Sequence, residues 1–340
     1  MALNIQKGVL LSRHTTFNVG GRAKFFAEVG SVDELRQVLG FAEKNNLKTL
    51  ILGGGSNTVF LDGKIDKLII KIKIKGIKFR DDLGRVFVSA GAGEEWDKIV
   101  AESVKKELWG LENLSLIPGT VGGAVYQNIG AYGVELKDVL NKVIILNSET
   151  GSVLELRNGD CCFGYRKSLF QDNQYQNYVI IGAELKLLSE PKRKLDYPDL
   201  IKQFVDKKPA VAEIRNAIIK IRKSKLQYPN SKIGTAGSFF KNPVVTNGEY
   251  KKLIAKNPDI KGRPSEDGKS VKLSAAQLIE KAGWKGKRVG DVGVSAKHAL
   301  VLVSYQGGSS RDLIHLADSI KASVKKNFDV NLEPEVNIIF

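Results

Sequence analysis

The chain of 340 residues is 42% hydrophobic and 26% charged, which excludes a mainly disordered protein and leaves room for two or three domains. It contains no stretch of roughly 18 apolar residues and no signal-peptide pattern, so we expect a cytoplasmic protein without membrane insertion. Its two cysteines, Cys161 and Cys162, are adjacent. This spacing predicts neither a disulfide framework nor a zinc site, and we expect no bound metal.

An excess of basic residues, 53 Lys and Arg against 37 Asp and Glu, gives a formal net charge of +16. Such a surface attracts anions from a distance. The basic residues are spread along the chain and are not gathered in one arm or block, which favours a diffuse field over a dedicated nucleic-acid groove. The charge therefore leaves two classes of partner open, nucleic acids and polyanionic small molecules.

The first predicted elements are a helix over 31–47, opened by the capping pair Ser31 and Glu34, and a strand that runs into "LGGGSN" at 52–57. After these glycines the sequence returns to an apolar, strand-like pattern at 58–61. Both common phosphate-binding motifs, the Walker loop and the dinucleotide fingerprint, need a helix at that point. The pattern therefore predicts neither motif.

The rest of the pattern predicts an α+β fold with mixed sheets. Strands are expected at 70–75, 85–93, 142–159 as a hairpin, 178–188, 298–305 and 330–340. Helices are expected at 94–109, 212–224, 274–282 and 309–327. The polar, proline-containing stretch 187–210 is expected to be an excursion between domains.

A second glycine-rich segment, "IPGTVGGAVYQNIGAYG", covers residues 117–133. Two such segments, each with amide or hydroxyl side chains, suggest backbone N–H groups that close on a phosphate-bearing ligand from two sides. Tight turns at barrel corners are the structural alternative. Together the two segments favour a ligand with a diphosphate and an extended body.

Six stretches, in this order, resemble the UDP-N-acetylenolpyruvoylglucosamine reductase family, in particular its longer, type I members. They are "HTTFNVGG" (14–21), "LGGGSN" (52–57), "IPGTVGGAVYQNIGAYG" (117–133), "FGYRKSLF" (163–170), "GSFFKNP" (237–243) and "LEPEV" (332–336). The resemblance covers almost the full chain. It implies an FAD-binding fold of the vanillyl-alcohol-oxidase/PCMH type, in which two α+β lobes hold FAD without a Rossmann loop, and a C-terminal α+β substrate-binding domain.

The resemblance also implies the domain boundaries. FAD-binding lobe 1 is expected at 1–74 and lobe 2 at 75–225, the latter including 187–210 as a loop that folds over the substrate. The substrate-binding domain is expected at 226–328. A C-terminal strand, 329–340, is expected to return to the active site.

The activity implied by the resemblance is reduction of FAD by NADPH, followed by hydride transfer to the enolpyruvyl ether of UDP-N-acetylglucosamine enolpyruvate. The product, UDP-N-acetylmuramate, is a peptidoglycan precursor. We expect a monomer that binds these small molecules and no nucleic acid. The alternatives are a flavin oxidoreductase of the same fold that acts on another anion and, from a different class, a basic nucleic-acid-binding protein, against which the missing aromatic-interleaved basic stripe argues.

Three residues are implied as catalytic. Arg166 and Glu335 resemble the pair that contacts the substrate carboxylate, and Ser238 resembles the acid that protonates the carbon next to it. An arginine fork suits a carboxylate, and two like charges at close range resist ionising together, so Glu335 is expected to act as a donor. The structural alternatives are a buried ion pair for Arg166, a strand-edge charge for Glu335 and a satisfied loop hydroxyl for Ser238.

The remaining site residues also follow from the resemblance. Those expected to bind the cofactor are Gly53, Gly54, Gly55, Ser56, Asn57, Ile117, Pro118, Gly119, Gly122, Gly123, Asn128, Ile129, Gly130 and Tyr165. Those expected to bind the substrate are Tyr197, Lys225, Asn242 and His298. For Lys225 a solvated lysine is the alternative, and for His298 a packed histidine.

Overall fold

The computed structural model describes residues 4–82, 84–226, 228, 232–265 and 268–340. The chain divides into two compact units, each built from three segments. The first unit comprises 1–9, 23–54 and 66–222, and the second comprises 10–22, 55–65 and 223–340. Each contains its own cluster of buried apolar side chains.

The strands and helices between Gln6 and Lys225 include those on either side of the first glycine-rich segment. The strands are β1 (Gln6–Leu10), β2 (Arg22–Val29), β3 (Thr49–Leu52), β4 (Thr58–Phe60), β5 (Lys64–Ile72), β6 (Ile77–Asp82), β7 (Arg85–Gly91), β8 (Gly130–Ala131), β9 (Val134–Glu135), β10 (Leu140–Asn147), β11 (Val153–Arg157) and β12 (Tyr178–Leu188). The helices are α1 (Val32–Lys44), α2 (Trp96–Lys105), α3 (Val121–Gln127), α4 (Pro198–Gln203) and α5 (Val211–Lys225).

The remaining elements belong to the second unit. The strands are β13 (Ile233–Gly234), β14 (Val244–Thr246), β15 (Gly262–Pro264), β16 (Ser270–Leu273), β17 (Arg288–Val289), β18 (Val292–Val294), β19 (Leu302–Tyr305) and β20 (Asn337–Ile339). The helices are α6 (Asn247–Lys256), α7 (Ala275–Lys281) and α8 (Ser310–Phe328).

Two larger sheets organise the first unit. One has the strand order β1-β2-β5-β3, with β3 and β5 parallel, so the first glycine segment leaves from the end of an edge strand. The other is antiparallel, with the order β11-β10-β12-β7-β6. Helix α2 places Trp96, Ile99 and Val100 in the core, and its N-terminal end supports the second glycine segment.

The second unit contains a four-stranded sheet, β13-β19-β18-β17, and a three-stranded sheet, β14-β16-β15. The last strand, β20, pairs in parallel with β4, so that Asn337 lies opposite Thr58. Phe239 and Phe240 are fully buried beside the candidate residue Ser238. Both the chain after the first glycine segment and the C-terminal strand therefore belong to the unit that contains Ser238.

Most predicted elements are confirmed, including the strand directly after the first glycine segment, where the two phosphate motifs need a helix. The helix predicted at 94–109 is shorter, because Glu107 adopts a left-handed conformation (φ 58°) just beyond the end of α2. Helix α6 was missed although Thr246 and Glu249 form a reciprocal capping box at its start. Helix α3 was missed because two of its residues are glycines, which weaken helices.

No helix in the described ranges is long and apolar enough to cross a membrane.

Candidate active site

The first glycine segment begins where β3 ends and packs directly against the second. A Cβ atom added at Gly53 would lie 2.7 Å from Thr120 Oγ1, and one added at Gly54 would lie 3.0 Å from the Cα atom of Gly119. The first distance is shorter than real Cβ atoms show, and the second is tighter than most real Cβ contacts. The two segments that the sequence paired as ligand-binding loops are therefore in contact within the first unit, and part of the need for glycine comes from this packing.

Gly55 has a conformational and a steric reason to be glycine. Its φ is +64°, and an added Cβ would overlap the carbonyl oxygen of His14. Its own carbonyl accepts a hydrogen bond of 3.1 Å from the Thr16 N–H. The turn through Gly55 and Ser56 therefore packs closely against residues 14–16 of the same unit.

Asn57 connects the first glycine segment to the C-terminal strand. Its Nδ2 donates to the carbonyl of Glu335 at 2.8 Å, and its own carbonyl accepts from the Asn337 N–H at 3.0 Å. The structure thus brings two predicted site residues, Asn57 and Glu335, together across 278 positions of sequence.

Backbone hydrogen bonds hold the start of α3 against the residues that precede α2. The Val121 N–H donates to Glu94 O at 3.0 Å and the Gly122 N–H donates to Ala92 O at 2.8 Å. A Cβ at Gly122 would also lie 3.1 Å from the Cβ of Ala92. Gly122 therefore shapes the segment through close packing, since its N–H already serves a backbone carbonyl.

A buried hydroxyl lies where the two glycine segments meet. Thr120 Oγ1 is buried, has no hydrogen-bond partner, and lies 3.8 Å from the position of a Cβ on Gly123. A buried polar group without a partner is costly, and a phosphate or ribose oxygen would supply one. Gly119, directly before Thr120, has a φ of +121°, a conformation that favours glycine, so this residue adds no side chain beside the hydroxyl. These features fit a phosphate-bearing cofactor such as FAD.

Asn128 ends α3 and is a buried junction. It has a left-handed φ of 44°, and its Nδ2 donates to Glu135 Oε2 at 3.0 Å and to the Gly164 carbonyl at 2.9 Å. Its Oδ1 accepts from the Lys137 N–H at 3.0 Å. The next residue, Ile129, is also buried. Asn128 therefore fixes the turn that carries Arg166 to the end of α3.

Arg166 lies in the turn closed by the Gly164 N–H and the Lys167 carbonyl, 3.0 Å apart. Its φ of 53° is unusual for a large side chain and costs about 1–2 kcal/mol. The guanidinium lies 5.2 Å from the ring centre of Tyr165, and Nη2 donates to Gly130 O at 2.7 Å. The Gly130 carbonyl therefore orients the planar guanidinium fork of Arg166.

Ser238 and Glu335 lie on neighbouring backbone segments of the second unit. Ser238 forms an isolated β-bridge with Val301, and the Glu335 N–H donates to the carbonyl of Phe239 at 2.7 Å. The Phe239 N–H donates to Leu300 at 2.8 Å. Both candidate side chains are partly exposed. We call these backbone contacts the backbone ladder. In it, Ser238, the predicted acid, directly precedes Phe239, whose carbonyl accepts from the N–H of Glu335, the predicted donor.

Lys225 and His298 are also brought together. Burial lowers the pKa of His298 below its ordinary value, and the positive charges of Lys225 and Lys285 lower it further. The Leu300 N–H donates to His298 Nδ1 at 3.2 Å, so the neutral ring carries its proton on Nε2. The ring of His298 is thus packed, as the alternative expected, and it also lies in a positive field, while its contact with substrate stays a prediction.

Asn242 lies before β14, and its Oδ1 accepts from the Ala275 N–H at 3.0 Å at the start of α7. This bond gives Asn242 a structural task at the helix end. It also fixes the orientation of the amide group.

Tyr197 precedes α4 in the excursion 187–210, which contains this short helix in place of a continuous loop. Its ring packs edge-on against Tyr132, with the ring centres 5.0 Å apart. Asn113 Nδ2 donates at 2.8 Å to the carbonyls of both Tyr132 and Lys194. The excursion is therefore fastened to the body of the first unit near Tyr197.

The sequence analysis missed Thr120, Asn113 and the ion pair of Asp97 with Arg215. Thr120 carried a signal, because it lies within the second glycine segment. Asp97 and Arg215 are 118 positions apart in elements of ordinary composition, so nothing local could have joined them. In the described part of the chain, no cluster of His, Cys, Asp and Glu side chains could hold a metal ion.

Comparison with known proteins gives two domain matches. The family described as FAD binding domain matches residues 23–157, and the family described as UDP-N-acetylenolpyruvoylglucosamine reductase, C-terminal domain, matches 228–339. The boundary regions between these matches include the 187–210 excursion.

Full-length relatives carry the same name. UDP-N-acetylenolpyruvoylglucosamine reductase of Pseudomonas syringae pv. tomato is 42% identical over 99% of this chain and 100% of its own, and that of Pseudomonas aeruginosa is 40% identical over the same shares. The crystal structure of the reductase from Thermus caldophilus matches with a TM-score of 0.70 and 25% identity over 99% of both chains. This chain belongs to the UDP-N-acetylenolpyruvoylglucosamine reductase family.

Proposed function

We propose that this FAD-dependent oxidoreductase reduces UDP-N-acetylglucosamine enolpyruvate to UDP-N-acetylmuramate at the expense of NADPH, in the synthesis of peptidoglycan precursors. One observation supports the proposed roles of named residues. It is the backbone ladder, in which Ser238 directly precedes Phe239, the hydrogen-bond partner of Glu335. A proton donor and a carboxylate-handling group are the two functions that this reduction needs from the second unit.

The groups proposed to hold FAD are the two glycine segments, with Thr120 Oγ1 as an additional hydrogen-bond donor. When bound there, FAD would supply the hydride-transfer chemistry between NADPH and the terminal vinyl carbon of the substrate. The glycines give the backbone close access to the ligand, while Asn128 and Ile129 act from within the fold.

The chemistry required of the side chains follows from the flow of charge. Hydride addition at the terminal carbon pushes electron density onto the neighbouring carbon and its carboxylate. Arg166 is proposed to bind that carboxylate with its planar fork, and Glu335 to donate a hydrogen bond to it. Ser238 is proposed to give its hydroxyl proton to the carbon. A hydroxyl is a weak acid, but the carbon it meets is strongly basic, and the ladder fixes its position.

For the nucleotide end of the substrate we propose Lys225, Asn242, His298 and Tyr197. Lys225 supplies positive charge for the diphosphate, and neutral His298 with its proton on Nε2 supplies a hydrogen bond rather than a charge. Tyr197 lies in the 187–210 excursion, which the bond from Asn113 to the Lys194 carbonyl anchors to the first unit. We also propose that the protein is a monomer. We propose a cytoplasmic location because both NADPH and nucleotide sugars are cytoplasmic substrates.

The proposal is tested with purified protein in two steps. The absorption spectrum should show bound flavin, which NADPH bleaches without oxygen. Addition of UDP-N-acetylglucosamine enolpyruvate should then restore the flavin absorbance and yield one UDP-N-acetylmuramate per NADPH consumed. Flavin that is bleached by NADPH but not restored by this substrate would favour a different anionic substrate. Colourless protein that also fails to bind added FAD would reject the assignment.

A further inference from the structure

We infer that Asp97 and Arg215 are a positioning pair that holds the second glycine segment in its cofactor-binding shape. The inference rests on the proposed cofactor site and adds to it two residues that lie outside both glycine segments. All of the groups involved belong to the first unit.

The pair has the geometry of a strong, oriented interaction. Arg215 Nη1 donates to Asp97 Oδ1 at 2.8 Å and Nη2 donates to Oδ2 at 2.9 Å, which is a bidentate fork. The side chain of Arg215 is 13% exposed and that of Asp97 is 30% exposed, so solvent screens this pair less than it screens a surface pair. Burial alone would raise the pKa of Asp97, but the bonds from Arg215 and from the Leu116 N–H outweigh it and lower that pKa.

The carboxylate also contacts the residue that leads into the second glycine segment. The Leu116 N–H donates to Asp97 Oδ1 at 2.5 Å. Leu116 has a left-handed φ of 59°, a conformation that a leucine does not adopt without support. It immediately precedes Ile117 and Pro118, the first predicted cofactor-binding residues of this segment. Asp97 therefore holds the strained residue that sets the direction of the chain into the cofactor site.

Neighbouring bonds show that the segment is docked on α2 as a unit. Trp96 Nε1 donates to Leu114 O at 2.9 Å, and the Trp96 N–H donates to Gly119 O at 3.1 Å. These two bonds fix the chain on either side of Leu116, at Leu114 and at Gly119 in the glycine segment, while Asp97 fixes Leu116 itself. Arg215 lies on α5, so this helix determines the direction in which the carboxylate points. The pair thus acts on the cofactor site through the backbone, without touching the ligand.

The test measures the affinity of the apoprotein for FAD. Quenching of FAD fluorescence reports binding, so no turnover is needed. We expect Asp97→Ala and Arg215→Met each to weaken FAD binding about tenfold, because the segment loses its fixed direction. The double variant should bind no more than about twofold more weakly than Asp97→Ala, since the two residues act as one unit.

A second substitution separates positioning from general stability. Leu116→Gly, made in the Asp97→Ala background, should recover FAD affinity about threefold, because glycine adopts the left-handed conformation without support. The matched control is Glu184→Gln, which removes a buried carboxylate that accepts from Asn141 and Ser89 in the antiparallel sheet. It should lower the unfolding midpoint while leaving FAD affinity unchanged within about twofold.

The outcomes distinguish this inference from the proposed function. If the unaltered protein binds no FAD, the cofactor assignment itself is wrong. If it binds FAD and Asp97→Ala binds it equally well, the positioning role is overturned. The role is also overturned if Glu184→Gln weakens FAD as much as Asp97→Ala does, or if Leu116→Gly gives no recovery.

Discussion

The surroundings of Arg166 and of Ser238 differ in what holds each side chain in place. Arg166 lies in a strained turn, and its position depends on the side chain of Asn128 and on the carbonyl of Gly130. Two of the three hydrogen bonds of the Asn128 amide group join different backbone segments. Main-chain bonds between Gly164 and Lys167 close the turn of Arg166, but the attachment of this turn to the end of α3 depends on a few individual side-chain bonds.

Ser238 is held by the backbone. Its strand segment bridges Val301, and the next residue along accepts the Glu335 N–H and donates to Leu300. Main-chain bonds of this kind do not depend on which side chain occupies the position. The comparison predicts that replacing Ser238 leaves the backbone in place, whereas replacing the neighbours of Arg166 changes the structure.

The largest effect is expected for Ser238→Ala. Loss of a general acid typically slows the assisted step by about 10²–10⁴-fold, so reoxidation of the reduced flavin by substrate should fall by about a thousandfold. Reduction of the flavin by NADPH should stay within about twofold, because that step needs no proton at the substrate carbon. Stopped-flow absorbance of the flavin measures the two half-reactions separately.

The matched control is Ser295→Ala, a buried hydroxyl of the same unit that accepts from the Lys297 N–H. This variant should leave both half-reactions unchanged. If Ser238→Ala slows both half-reactions equally, Ser238 is not the acid. If it also lowers the unfolding midpoint more than Ser295→Ala does, the ladder does not hold the segment independently of the side chain.

The sequence was informative about the fold wherever the signal was local. Helices α1 and α8 begin at the predicted serines, and in each the serine hydroxyl accepts from the N–H three residues on, as the capping pattern requires. The alternation of apolar residues likewise predicted the hairpin of β10 and β11. Pairings between distant strands, such as β20 with β4, had no local signal, because strand order is set by packing.

The residues of the candidate site are predictions from the resemblance, and their arrangement could not be predicted from the sequence. Resemblance supplied Ser238 and Glu335, but the bond that links Phe239 to Glu335 joins segments almost a hundred positions apart. Gly53 and Gly54 also have a packing reason to be glycine, because the protein atoms nearest to them belong to the second glycine segment. Such close approaches depend on tertiary packing, which residue types alone do not encode.

A smaller effect, on stability, is expected for Asn128→Ala. This change removes three hydrogen bonds of a buried amide and leaves alanine in a left-handed conformation. We expect the free energy of unfolding to fall by about 3 kcal/mol, and the KM for the enolpyruvyl substrate to rise because the Arg166 turn is loosened. Urea unfolding at fixed FAD concentration and steady-state kinetics measure the two consequences.

The matched control is Asn46→Ala, because Asn46 is also left-handed (φ 49°) but is exposed at the end of α1. It should cost about 1 kcal/mol, the conformational penalty alone, and leave the KM unchanged. Equal losses of stability in the two variants would show that the side-chain bonds of Asn128 contribute nothing, and the comparison between Arg166 and Ser238 would no longer hold.

The smallest effect concerns pH and a position near Ser238 where a side chain, that of His298, accepts a backbone N–H. Burial, assisted by Lys225 and Lys285, lowers the pKa of His298, so the unfolded chain takes up a proton at a higher pH than the folded chain. Stability from this group is complete above the ordinary pKa of about 6.5 and is lost as pH falls from there towards the lowered value. His298→Asn should therefore flatten the decline in unfolding free energy between pH 7.5 and 5.5 by less than about 1 kcal/mol, whereas His315→Asn, at an exposed position on α8, should leave the decline unchanged. The unfolding free energy could instead decline equally steeply with and without His298. The bond from the Leu300 N–H to His298 would then not depend on the charge of the ring, and the backbone would hold this position as well.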